Sequence, residues 1–162
     1  DVAPKALEEP ENYEHRETLM LAGTLGLNGF LAIGSRGDWA THNIEHAVSA
    51  YYDIPHASGL AILFPHWMRH NVHVNPARFA RLAEKVFGVE RNGQTDEEAA
   101  FEGINRLSAF WTSIGAPNRL ADYSIDDSEF EGIIDHTMFN GPFGNFNKLD
   151  CEDVRAILTA SL

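Results

Sequence analysis

The sequence has almost no cysteine, half as many basic as acidic side chains, and no long apolar run. Its single cysteine, Cys151, excludes an internal disulfide and fits a reducing, cytoplasmic setting. It stands in Asp150-Cys151-Glu152-Asp153, where the neighbouring carboxylates disfavour a thiolate, so it reads as an inert thiol. Lys and Arg number 12 against 24 Asp and Glu, a net charge of −12 with no basic stripe. Such a surface repels phosphate backbones and argues against nucleic-acid binding; it reads as a solubility feature. No stretch approaches the ~20 apolar residues of a membrane-spanning helix, and the acidic, Pro-containing residues 1–12 do not resemble a signal peptide. No membrane association is expected. Strand signals are scarce, and no G-x-G-x-x-G turn follows a strand.

What is present is helical patterning over most of the 162 residues, enough for one domain with its own core. The start at Asp1 without Met leads us to expect a helical piece of a longer chain, residues 1–162 forming one domain. Residues 11–33 carry apolar and small side chains nearly all round, as in a helix buried among others. Gly34-Ser35-Arg36-Gly37 breaks it. Asp38 is a candidate N-cap for a helix to residue 52, stopped by Asp53-Ile54-Pro55. A very apolar segment, 56–70, contains Pro65, which predicts a kink or join. Pro76 opens a helix to Phe87 closed by Gly88. Thr95 and Glu98 form a capping box for a helix to about residue 114. Shorter helices are predicted over 126–138 and 150–160, with a loop at 140–147 that holds Phe143 and Phe146 among turn formers. The fold class is all-α, a multi-helical array of seven or eight helices.

Histidine is over-represented, eight in all, five of them between His42 and His70. His42 and His46 are four residues apart and project from one helix face. His56 follows a proline break, where a turn can fold it back toward them. Three converging imidazoles suit a divalent first-row metal. His66 and His70 repeat the spacing but lack a third partner, so they read as structural. His15, His73 and His136 stand singly and read as surface residues. Two sharper readings of the cluster are open. The string from His42 to His46 fits H-x-x-E-H, the pattern of zinc peptidases in which Glu45 would be the general base. That reading leaves His56 unexplained and needs a third ligand, for which Glu98 and Glu102 are candidates. A non-catalytic helical interaction module is a further alternative.

The second sharp reading explains more. His42, His46, Pro55-His56, Gly59-Leu60-Ala61 and Pro65 resemble the metal-binding signature of the iron-containing (group III) alcohol dehydrogenases. Pro4-Lys5-Ala6-Leu7 with Pro10-Glu11-Asn12-Tyr13, Leu107-Ser108-Ala109-Phe110, Gly115-Ala116-Pro117, Arg119-Leu120 and Phe143-Gly144-Asn145-Phe146 resemble the family's butanol dehydrogenase branch, so the match spans essentially the whole chain. The resemblance implies the dehydroquinate synthase-like C-terminal helical domain, without the nucleotide-binding part. It implies His42 and His56 as metal ligands, and His46 as a residue beside the metal and the nicotinamide, with a role in proton transfer or substrate orientation. Two further ligands, an aspartate and a histidine, would lie upstream of Asp1. The implied cofactors are a divalent metal, Fe²⁺ or Zn²⁺ foremost, and NAD(P) in the whole protein. The implied partner is a small alcohol or aldehyde, and a homo-oligomer is the assembly the family allows. Trp39, Phe143 and Phe146 are candidates for the substrate-pocket wall. This chain alone is expected to bind metal weakly and not to turn over.

Overall fold

Asn12 sets the start of the first long helix, because its Oδ1 accepts from the backbone N–H groups of Glu14 (3.1 Å) and His15 (3.4 Å). The computed structural model describes residues 2–162, and the chain divides into two compact units, Asp1–Gly37 and Asp38–Leu162. The first unit holds α1 (Val2–Glu8), α2 (Tyr13–Leu27) and a single 3-10 turn, Phe30–Ala32. Sequence patterning did not anticipate α1; Pro4 lies in its first turn, where a missing N–H costs nothing. The expected helix over 11–33 stops at Leu27, because Asn28 Oδ1 captures the Phe30 N–H and Gly29 turns left-handed at φ 79°. The expectation that this helix is buried is not met: none of its residues is buried. Within its own unit, the described elements that pack on it are a seven-residue helix and one 3-10 turn.

The second unit contains α3 (Ala40–Tyr52), α4 (His56–Asn71), α5 (Pro76–Phe87), α6 (Asp96–Ser113), α7 (Phe130–Thr137) and α8 (Cys151–Ala160). Together with α1 and α2 these make eight α-helices among the described residues, an all-α fold as expected. An isolated bridge, Phe143 to Leu149, is the nearest approach to strand structure among those residues. Helix α4 is central, packing against α3, α6 and α8, while α7 joins α3 to α8. Ile44 and Val48 of α3, Ile62, Leu63 and Met68 of α4, Ile104 of α6, Ile133 of α7 and Ile157 and Leu158 of α8 close one apolar core. Helices α5 and α6 approach so closely that a Cβ on Gly103 would stand 2.6 Å from the Cβ of Ala83.

Three local expectations need correction. Pro65 does not mark a join between two helices: α4 continues through it with the proline buried, so packing offsets the lost backbone bond. Asp38 does not occupy the N-cap position, which falls to Trp39 at φ 62°. Asp38 instead accepts from Ala40 N–H through Oδ2 (3.2 Å) and from the backbone N–H groups of Asn145 and Phe146 through Oδ1 (2.6 Å each). Helix α7 starts at Phe130 rather than Asp126, because Asp126 accepts from the Ser128 N–H at 3.0 Å and holds a turn before the helix. Thr95 and Asp150 form the capping boxes of α6 and α8. Pro76 and Gly88 bound α5 where the sequence places them.

Candidate metal centre

The site is made by a corner. Helix α3 ends at Asp53, which is left-handed at φ 51° and donates its N–H to the Ser49 carbonyl at 2.9 Å. Ile54 is buried, and Pro55 opens α4, its carbonyl accepting from Ser58 and Gly59 N–H groups. Three residues therefore reverse the chain and set His56 against the face of α3 that carries His42 and His46. Ring centroids lie 5.4 Å apart for His42 and His56, 5.1 Å for His46 and His56, and 6.2 Å for His42 and His46. Trp39 meets His42 edge-on at 4.8 Å. The three imidazoles predicted to converge do so. His42 is half-buried, whereas His46 and His56 are exposed.

Burial, then the neighbouring His56 and His46, hold the His42 pKa below the ordinary imidazole value, against an upward pull from Glu45. A neutral ring is the form that offers a nitrogen lone pair. Glu45, on the next turn from His42, is fully buried. Its Oε1 accepts from the Ser49 hydroxyl and its Oε2 faces His56 Nδ1. Ligand-type atoms of Glu45, His46 and His56 lie within 4.8 Å of one another. Nitrogen and carboxylate donors so disposed fit a divalent first-row cation. A general base of the H-x-x-E-H type needs a carboxylate facing water, and Glu45 has no exposed surface with which to face it.

The other predicted residues separate. Trp39 and Phe146 line a cavity of about 510 Å³ together with His42, Phe64, Trp67, Phe79 and Trp111. Phe146 packs on Trp67 at 5.7 Å and on Phe79 at 5.4 Å, and Phe64 stacks on Trp67 with planes 4° apart. This size and apolar character are those of small-molecule pockets. Phe143 lies elsewhere, in a hollow of about 210 Å³ with His46, Asn43 and His136. Sequence reading had no means of finding Trp67, Phe79 or Trp111, which at helical spacing look like core. His70 pairs with Asp153 at 2.8 Å, linking α4 to α8 as a structural residue, and His66 lies apart from the cluster with its pKa lowered by burial. Glu98 caps α6, and Glu102 binds Gln94 and Arg106, so neither joins the histidines.

Comparison with known proteins bears on the family and the fold. The family described as Fe-containing alcohol dehydrogenase family, C-terminal, matches residues 1–162. Over 162 residues the chain is 64% identical to the probable NADH-dependent butanol dehydrogenase 1 of Bacillus subtilis (strain 168), covering 100% of this chain and 42% of that protein. It is 34% identical over 131 residues to the NADPH-dependent aldehyde reductase YqhD of Escherichia coli (strain K12), covering 81% and 33% of the two chains. The crystal structure of NADH-dependent butanol dehydrogenase A from Thermotoga maritima superposes with a TM-score of 0.90 at 39% identity, over 98% of this chain and 42% of that one. The chain thus spans about two fifths of the length of these butanol dehydrogenases. Among the described residues no helix is long and apolar enough to cross a membrane.

Proposed function

The chain belongs to the Fe-containing alcohol dehydrogenase family, and from that premise we propose that it supplies half of the metal site of an NAD(P)-linked alcohol dehydrogenase or aldehyde reductase acting on butanol-like primary alcohols. The observation that carries the proposal is the convergence of His42, His46 and His56 at the edge of an aromatic cavity. We assign His42 and His56 as ligands of a divalent metal, Fe²⁺ or Zn²⁺. When bound, such a metal supplies Lewis-acid stabilisation to an alcohol or carbonyl oxygen. Hydride exchange with the substrate carbon is the chemistry of the nicotinamide.

The roles of this chain's residues follow from their places. His42 lies between the cavity and the other two rings, so an oxygen held near it has its carbon chain directed along Trp39 and Phe146. These apolar walls favour an alkyl tail over a polar one. His46 is exposed at the edge of the cluster, where it can orient the substrate or carry a proton to solvent, and it would face the nicotinamide. Phe143 belongs to the His46 side rather than to the alkyl pocket. We place the nucleotide-binding part and the remaining ligands outside these 162 residues.

The test is NAD(P)H-linked reduction of butanal by the whole protein that carries this sequence. His56→Ala should lower kcat/KM by more than about 100-fold, beyond the effect typical of outer-shell partners. The 162-residue chain alone should give no turnover. Full activity in His56→Ala, or in the isolated chain, contradicts the proposal.

A further inference from the structure

Resting on the assignment of His56 as a ligand, we infer that Glu45 is a positioning residue, whose buried carboxylate holds His56 as the Nδ1–H tautomer and so leaves Nε2 as its metal-donor atom. Glu45 has no exposed surface, yet among the described residues none of its hydrogen-bond or ion-pair contacts is to an arginine or lysine. A carboxylate removed from water must be met by donors. Two are present. The Ser49 hydroxyl, one turn along α3, donates to Oε1, and His56 Nδ1, across the corner, faces Oε2. With the Ser49 hydroxyl on Oε1, the contact between Oε2 and Nδ1 is satisfied when Nδ1 donates, which puts the ring proton on that atom. A neutral imidazole protonated at Nδ1 presents its lone pair at Nε2. Carboxylate partners of this kind fix the ring orientation and tautomer of ligating histidines.

The corner is also shaped to keep the carboxylate there. Gly59 lies in the first turn of α4 with His56, and it is buried against Glu45. A Cβ at Gly59 would stand 2.6 Å from Oε1 and 2.7 Å from Cγ of Glu45, closer than side chains tolerate. Only glycine leaves room for the carboxylate beside His56. Ser49, Gly59 and the three-residue reversal thus converge on one contact. The competing possibility is that Glu45 is itself a ligand with His46 and His56, since their atoms lie within 4.8 Å.

Long-range ¹H–¹⁵N NMR of the 162-residue chain without and with Zn²⁺ separates the two, because a positioning carboxylate keeps its Nδ1–H contact when metal binds and a ligand carboxylate gives it up. The wild-type His56 ring should be protonated at Nδ1 in both states. Glu45→Leu should turn it to the Nε2–H form, and Co²⁺ affinity should fall about 10- to 100-fold. Should Glu45→Leu not fold, Gly59→Ala displaces the carboxylate without altering any assigned ligand, and it should move tautomer and affinity in the same direction. A wild-type Nε2–H ring, or a tautomer unchanged in the folded variant, overturns the role of Glu45. Unchanged Co²⁺ binding in His56→Ala overturns the ligand assignment itself, a separate failure.

Discussion

The carboxylate of Asp38 accepts the backbone N–H of Phe146 at 2.6 Å, tying the entrance of α3 to the loop that precedes α8. The same oxygen accepts the N–H of Asn145, also at 2.6 Å, so one side chain positions a loop more than a hundred residues away. Because Phe146 walls the cavity beside His42, this tie governs the shape of the pocket. Asp38→Ala should lower stability by roughly 1–2 kcal/mol, the lower end for bonds to a charged acceptor because the site is partly exposed. Urea unfolding measures this, and an unchanged midpoint contradicts it. Asp38→Asn, which keeps one acceptor oxygen, should lose less.

Gly103 offers a test of the α5–α6 contact. A side chain there meets the Cβ of Ala83 at 2.6 Å and its Cα at 2.9 Å, the second being backbone that cannot step aside cheaply. Gly103→Val should therefore cost about 1–3 kcal/mol through overpacking, in spite of the usual helical penalty of glycine. Thermal unfolding of the variant reads the effect directly. A Tm at or above that of the parent would show that the two helices separate freely.

Helix α8 carries a pH dependence. Burial pushes the Asp153 carboxyl upward, but the backbone N–H of Asp150 and the His70 side chain outweigh it, and its pKa lies below the ordinary value of 3.8. A carboxyl depressed in the folded state contributes stability that is fully present above its unfolded pKa and is lost as pH falls through the folded one. The window is therefore acidic, below about pH 4. Asp153→Asn should destabilise the chain at pH 7 and flatten the fall in stability toward pH 3. Chemical unfolding at the two pH values checks this, and an equal deficit at both contradicts it.

Much of this was legible in the sequence, for reasons specific to each element. Pro76, Gly88, Thr95, Glu98 and Asp150 carry their structural meaning in their own chemistry, so both ends of α5 and the starts of α6 and α8 were readable. The convergence of His42, His46 and His56 was readable because helical spacing and a proline-fixed turn are both local. What was not readable depends on distant partners. Asp38 looked like an N-cap because its long-range donors, the backbone N–H groups of Asn145 and Phe146, have no local signature. Pro65 left a kink and a join both open, because its burial within a continuous α4 is tertiary. Glu45 looked like part of a peptidase motif until its contacts with Ser49 and His56 showed which way the carboxylate points. The aromatic cavity joins Phe64 and Trp67 of α4 to Phe79, Trp111 and Phe146, residues spread along the chain that only packing assembles.

The central claim is that His42 and His56 hold a divalent metal, and Co²⁺ titration of the 162-residue chain followed by NMR of its histidine rings tests it most directly. The His42 and His56 resonances should shift or broaden first and together, with His46 affected as a near neighbour, while His70 and His73 respond last. The double substitution of His42 and His56 by Ala should abolish the response at His46. Binding that begins at His66 or His70, or that survives the double substitution unchanged, would contradict the account.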